Sequence, residues 1–508
     1  MKRFILLVAT VAALAAAAAI PLGQGAVGHD SSALRAALTV GDIQTHLEAL
    51  QAAADDGGGT RDEQSAGFQN TVDYVVSELQ SYGYTPVTQE FSFDVYIEDA
   101  PPVLQQLLPI PKTYVPGADV VTMEFSGTVE RTGQLVPTND IVIPPGPVEG
   151  TSNSGCEAAD FPATVSGNIA LIQRGTCTFR QKVTNAQAAG AIGVVLFNEG
   201  QPGRTDAFEG TLDPPLTTTP VVMASFAVGV ELYNATTTGT VTVRVGTAGH
   251  VETVPSVNVI ADTSGGRADR TVVVGGHLDS VPEGPGINDD GSGISTILEI
   301  AHQFSVLGID PTNRVRFAFF GGEEEGLLGS EYYAGHLTAR ELKDIAVMLD
   351  YDMLASPNFV RFVYDGDGSA GGPKGPSGSG NVEKIFNDYF ASQGLATSPT
   401  AFDGRSDYVA FTDRGIPAGG IFAGAEEIKT AAQAAIYGGT AGVAYDPCYH
   451  QACDDIDNLS SAALDIMSDA VAHSTLTFAE TESAVNGTGK GKAKGTLQLE
   501  FKGDRALR

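Results

Sequence analysis

The segment VVVGGHLDSVPEGPGINDDGSG, residues 272–293, starts as a buried strand and stops being one abruptly. Three consecutive valines suit a strand covered on both faces. They run into His277 and Asp279, then into a loop of glycine and proline, then into Asn288-Asp289-Asp290 and a second glycine-rich turn. Apolar residues at helical spacing follow over 292–305. In open sheets built from strands alternating with helices, sites form beyond the carboxyl ends of the strands. His277 is at such an end.

The same alternation continues outward. Strands are expected at 257–262, 271–276, 314–320, 345–351, 359–364 and 416–422, and helices at 292–305, 381–393 and 463–479. This order predicts an α/β domain whose sheet is mixed but mostly parallel at its core, with helices on both faces. Upstream, 40–56 and 66–84 carry apolar residues at helical spacing, and 85–97 alternates like a strand. Between 115 and 250 the texture changes. GNIALIQRG, AIGVVLFNEG and TPVVMASF are short apolar strands between turns, with one helix, TFRQKVTNAQAAGA, among them. A β-rich module inserted into the larger domain is the expectation. The chain of 508 residues then divides into a leader at 1–26, a first part of the larger domain at 35–114, the insert at 115–250, the main part of the domain at 251–482 and a Gly/Lys-rich tail at 483–508.

Lys2 and Arg3 precede an apolar, alanine-rich run over 4–20, the pattern of a secretory signal. The run is short for a membrane span, and no other stretch is long and apolar enough, so stable membrane insertion is not expected. The 29 basic and 61 acidic residues give a net charge of −32. That excess argues against nucleic acid or anionic lipid as partner, since both need a basic surface. Four cysteines suit an exported protein and allow three pairings. Proximity favours Cys448 with Cys453, and hence Cys156 with Cys177. A zinc-finger role lacks the second cysteine pair it would need.

Other ionisable groups join His277, His450 among them from inside the expected small disulfide loop. RVRFAFFGGEEEG ends in Glu323, Glu324 and Glu325, IAVMLDYDML in Asp350 and Asp352, and YDPCYHQACD carries His450. Each has an ordinary reading alone, a capping histidine or a carboxylate at a helix N-terminus. Gathered at one sheet edge, so many anions would repel one another and raise one another's pKa values. Divalent cations remove that problem. Nitrogen and oxygen ligands without thiolate suit zinc, and Asp289, in a glycine-rich loop, is placed to bridge two ions.

GGHLDSV, GINDDGSG, FFGGEEEGLLGSEYY, LDYDM, FDGRSDYVAF and DPCYHQACD, in that order, resemble the M28 family of co-catalytic zinc peptidases, and most closely its secreted Streptomyces-type aminopeptidases. The insert, with GCEAADFP and IALIQRGTCTFRQKVTNAQAAGAIGVVLFN, resembles a protease-associated (PA) domain. The resemblance implies a zinc-peptidase, phosphorylase/hydrolase-like fold holding two Zn2+ per chain. His277 and Asp352 would bind one ion, Glu324 and His450 the other, with Asp289 bridging. It implies a cis peptide between Asp289 and Asp290, Asp279 orienting the His277 imidazole, and Glu323 as general base. Tyr449 would donate to the developing oxyanion, Arg405 would lie near the substrate carbonyl, and Phe422 would line the pocket for a hydrophobic first side chain. Relatives with a Ca2+ site take two aspartates from the last helix, matching Asp465 and Asp469, but their third aspartate aligns with Ala37. The implied activity is removal of N-terminal, leucine-like residues from peptides with a free N-terminus, by a secreted monomer. A carboxypeptidase or glutaminyl-cyclase-like member of the same fold and a metal-free receptor are the competing readings. The receptor would have lost ligands, and all five are present here.

Overall fold

In the computed structural model, Val272, Val273 and Val274 are buried in the strand Arg267–His277. The strand pairs in parallel with Asn313–Phe320 on one side and Ile345–Tyr351 on the other, and Ala418–Phe422 extends the parallel set. Val272 and Val274 enter one core while Val273 enters another, the two-residue alternation of a sheet covered twice. Helices Val40–Asp56, Ala66–Ser81, Gly291–Val306, Ser379–Ser392 and Ser461–Glu480 contribute to the first core. Leu328–His336 and Tyr408–Thr412 contribute to the second. Flanking strands run antiparallel: Thr242–Asp262 against Asn313–Phe320, and Phe362–Tyr364 against Ala418–Phe422. The sheet is therefore mixed around a parallel centre, as the sequence predicts. The structure describes residues 30–147, 150–201, 203–208, 210–481 and 485, so the expected leader at 1–26 lies outside the described residues, as does the tail at 483–508 apart from Val485.

Two features of the insert differ from expectation. Strand Val87–Leu108 is far longer than 85–97 and pairs with Thr242–Asp262 along its length, from Val87 opposite Ile260 to Leu108 opposite Thr242. Pro101 and Pro102 interrupt the sequence pattern, because proline cannot donate to a ladder. They are accommodated where the register shifts, between Ala100 and Val103. This antiparallel ribbon carries the larger domain's sheet into the insert, and residue 250 falls inside one of its strands. The insert's own strands are Val129–Pro137, Ile169–Gln173, Gly193–Phe197, Val221–Ala224 and Val120–Thr122. Besides the expected helix, Phe179–Ala188, a second spans Phe226–Thr238. Its valines and threonines favour strands, but the Ser225 side chain caps it by accepting from Val228 N, and Val228 and Leu232 pack into the insert's core. Both cysteine pairs form disulfides, Cys156–Cys177 and Cys448–Cys453.

Candidate metal centre and cleft

Parallel register brings the polar residues to one edge. His277 stands opposite Phe320 and Gly275 opposite Asp350, so Glu323 and Glu324 leave one neighbouring strand where Asp352 leaves the other. His277 Nε2 lies 3.1 Å from Asp289 Oδ1 and 3.7 Å from Asp352 Oδ1. His450 Nε2 lies 3.3 Å from Asp289 Oδ2 and 3.0 Å from Glu324 Oε2. Asp289 thus turns one oxygen toward each imidazole.

Its neighbour Asp290 does something else. One of its oxygens accepts from Gly293 N at 2.9 Å and Met353 N at 3.2 Å, the other from His277 N at 3.2 Å. It caps the helix Gly291–Val306 and joins the strand ends, so both its oxygens are engaged by backbone although it also lies near His277 and Asp352. Any β-carbon at Gly276 would fall 2.3 Å from Asp290 Oδ2, which is why glycine precedes the histidine. The Asp289–Asp290 peptide is cis. Asp279 faces His277 Nδ1 at 3.6 Å and accepts from Glu323 N at 3.2 Å and Glu324 N at 3.0 Å. It therefore ties the glutamates' backbone to the histidine's loop.

Some supporting residues had no sequence signal beyond the general excess of acid. The Asp454 carboxylate accepts from Asn288 N at 3.0 Å and Asp289 N at 3.1 Å, and Asp446 accepts from Asn288 Nδ2 at 2.7 Å. Ser406 Oγ donates to Asp352 at 3.0 Å. Bonds from side chain to backbone across more than 150 residues leave no local pattern to read.

The electrostatics describe an anionic cluster short of cations. Burial raises Glu323 well above the usual carboxylate range, and Glu324, Asp407 and Asp352 add to the rise. Burial raises Glu324 and Asp352 as well. Burial also opposes the charge on Asp289, yet hydrogen bonds to His277 and His450 hold it below its usual value. His450 is disfavoured as a cation by burial, but Glu324 and Asp289 lift it to about 11. Glu323 Oε1, Glu324 Oε1 and Asp352 Oδ1 are buried without a hydrogen-bond partner, and their residues line one cleft with Asp289, Arg405, Phe422 and Tyr449. Such orphaned atoms are costly unless something else binds there. One set of ligand atoms, from Asp289, Glu324 and His450, lies within 4.8 Å of one another. Zinc–donor bonds of roughly 2.0–2.2 Å fit a set of that size, and the nitrogen and oxygen donors fit zinc. The residues present suit the metal.

The rest of the cleft is organised around the small disulfide loop. His450 has a φ of 56°, in the left-handed region that costs a non-glycine residue free energy, and the Cys448–Cys453 link closes the loop that holds it there. The Tyr449 ring stacks on His450 at 3.8 Å. Arg405 Nη2 donates to the Tyr449 hydroxyl at 3.0 Å, and the guanidinium also pairs with both oxygens of Glu426, at 2.8 and 3.1 Å. Met353, Tyr364 and Phe422 supply apolar wall, with Phe422 stacked on Phe362. Asp465 and Asp469 lie away on the last helix. There Arg35 Nη1 approaches Asp469 at 3.3 Å, placing a guanidinium beside the carboxylate two residues before Ala37.

Sequence and fold both resemble known peptidases. The sequence model of peptidase family M28 matches residues 258–475, and that of the PA domain matches residues 131–232. An aminopeptidase of Pseudomonas aeruginosa is 42% identical over 447 residues, covering 86% of this chain and 80% of that protein. Leucine aminopeptidase 2 of Arthroderma otae is 38% identical, covering 82% and 79%. The solved aminopeptidase from Aneurinibacillus sp. strain AM-1 superposes with a TM-score of 0.71 at 25% identity, over 89% of this chain and 97% of that one. A zinc aminopeptidase from Bacillus subtilis shares the fold at a TM-score of 0.59 and 23% identity, over 88% and 97%.

Proposed function

The chain belongs to peptidase family M28 and carries a PA domain, and on that premise we propose that it is a secreted dinuclear zinc aminopeptidase removing leucine-like N-terminal residues from peptides. The observation that carries the reading is Asp289, with one oxygen toward His277 and the other toward His450. His277 and Asp352 would hold one ion, Glu324 and His450 the other, and Asp289 both. Bound zinc polarises a scissile carbonyl and acidifies water at neutral pH.

Glu323, outside the ligand set, accepts a proton from the attacking water and returns it to the leaving amine, a role worth on the order of 10²–10⁴-fold. Because Arg405 donates to the phenolic oxygen of Tyr449, the phenolic hydrogen is left for the substrate's carbonyl oxygen as charge develops there. Arg405, tied to Glu426, acts on that oxygen through Tyr449. Carboxylates of Glu323 and Asp352 receive the free α-amino group, which selects for N-termini. Burying a leucine side chain among Met353, Tyr364 and Phe422 is worth roughly 1.5–3 kcal/mol. Two disulfides support an oxidising, extracellular setting, and no helix among the described residues is long and apolar enough to cross a membrane. Calcium at Asp465 and Asp469 has less support: among the described residues they join no group of three ligating side chains, and Arg35 already faces Asp469.

Hydrolysis of leucine p-nitroanilide beside its N-acetylated twin tests the reading. Cleavage of the free amine alone is expected, lost with a chelator and restored by zinc. Equal cleavage of both, or activity indifferent to chelation, would overturn it.

A further inference from the structure

Between Leu278 and Asn288 the chain forms no strand or helix, yet it joins His277 to Asp289. Arg61, in the turn between helices Val40–Asp56 and Ala66–Ser81, is fully buried against it. Its guanidinium donates to three carbonyls of this loop: Pro285 O at 2.8 Å through Nε, Leu278 O through Nη1 and Gly286 O through Nη2. Arg61 N donates to Ser280 Oγ at 2.9 Å, and Thr60 Oγ1 donates to Val281 O at 2.8 Å. On the other side, Ile287 N donates to Asp454 O at 2.9 Å, and Asn288 N and Asp289 N to the Asp454 carboxylate. The loop's carbonyls are thus gathered by an arginine and its amides by an aspartate, neither of them within the loop. Gly286, at φ +63°, sits where a β-carbon would come 2.3 Å from Asp289 O, 2.5 Å from Ser280 Cβ and 3.0 Å from Arg61 Nη2, so the loop folds tightly on itself with the guanidinium against it. A buried cation is expensive. Here it is surrounded by Asp279, Asp289, Asp290 and Asp454, all of which favour its charge.

We propose that Arg61 is a positioning residue of the metal centre, its guanidinium fixing the backbone of 278–286 so that His277 and Asp289 stand at ligating separation before any ion binds. The inference rests on the zinc reading above. It brings into the site a residue nearly 200 positions before the matched family segment, which begins at residue 258. Lysine at this position would keep the charge but lose the planar fork that reaches three carbonyls.

The test uses the full chain as Arg61→Lys and Arg61→Ala. Zinc affinity is measured by competition with a chelator, kcat and KM with leucine p-nitroanilide, and folding by circular dichroism. Removal of such a supporting partner lowers metal affinity by about 10–100-fold, and that loss is expected in folded Arg61→Lys, with kcat falling similarly and KM little changed. Guanidinium ion at millimolar concentration should restore part of both in Arg61→Ala and neither in Arg61→Lys. Wild-type zinc affinity and kcat in Arg61→Lys would overturn the proposal. So would losses that follow only the unfolded fraction, or failure of both variants to fold, which would make Arg61 a folding residue. Failure of the zinc reading itself shows in the wild type, which would then neither bind zinc nor need it.

Discussion

The insert and the larger domain both end parallel strands in buried polar residues, and they treat those residues differently. In the insert, Gln173 accepts from Val142 N at 2.7 Å and donates to Val142 O at 3.0 Å. Asn198 donates to Asp206 O at 2.9 Å and accepts from Glu199 N at 2.9 Å. Even the buried Lys182, pushed down to about 8 by burial, gives its ammonium to Ser154 O. In the larger domain, Glu63, Glu323, Glu324, Asp350, Asp352 and Asp407 keep buried carboxylate oxygens without a hydrogen-bond partner, against Asp140 alone in the insert among the described residues. Buried polar groups returned to the backbone are scaffold. Buried groups that face others of their own kind await a partner, and the sheet carries that pattern at one place.

The contrast is broken most severely at Glu323. Glu323→Gln should lower kcat by about 10³-fold, within the range of a general base, while zinc content stays at the wild-type level. A variant that loses zinc with activity would make Glu323 a ligand instead. Tyr449→Phe comes next. Loss of one oxyanion donor costs about 10²-fold in kcat, with KM changed less; equal loss in both would assign the phenol to binding.

The two disulfides sharpen the comparison because the same bond should do different work. Cys156 and Cys177 are 21 residues apart, Cys448 and Cys453 five. Loop entropy makes the longer link worth about 3 kcal/mol and the shorter about 2 kcal/mol. Cys156→Ser with Cys177→Ser should therefore cost the larger share of stability and leave kcat alone. Cys448→Ser with Cys453→Ser should cost less stability but lower kcat about tenfold, because Tyr449 and His450 lose the loop that presents them. Paired thermal melts and kinetics decide it, and the reverse outcome would place the site's rigidity elsewhere.

The effect least tied to the site lies within the larger domain but away from its cleft, on the helix Ser461–Glu480. His473, bonded to Ser31 Oγ at 2.8 Å, is lowered by burial from 6.5 to about 4. Between those values the unfolded chain binds the extra proton, so stability is full above pH 6.5 and declines as pH falls toward about 4. Melting temperature should drop across that window, and less so in His473→Gln. An identical slope in the variant would assign the decline to other groups.

How much of this was legible in advance follows from what a local pattern can carry. His277, Glu324 and Asp352 sit in short motifs at or just beyond strand ends, which a parallel sheet brings together, while Asp289 and His450 sit in short motifs on loops, His450 within the Cys448–Cys453 loop. The same logic delivered the central strands and the long amphipathic helices. Arg61 and Asp454 escaped because their partners are loop backbone groups, which every residue possesses. The salt bridge from Arg405 to Glu426 joins loops on either side of a strand, so only the folded sheet reveals it. Alternation ends at Ile97 and Pro101 and Pro102 follow, so the local pattern shows no sign that the ribbon strand runs from Val87 to Leu108.

The most direct test of the central claim is a zinc titration of the chelated full chain, following bound metal and leucine p-nitroanilide hydrolysis together. The account predicts two tightly bound ions per chain, as in co-catalytic sites, with full activity only when both are present and tight binding of both lost in Asp289→Ala. Saturation at a single ion, or binding undisturbed by Asp289→Ala, would contradict a centre bridged by that carboxylate.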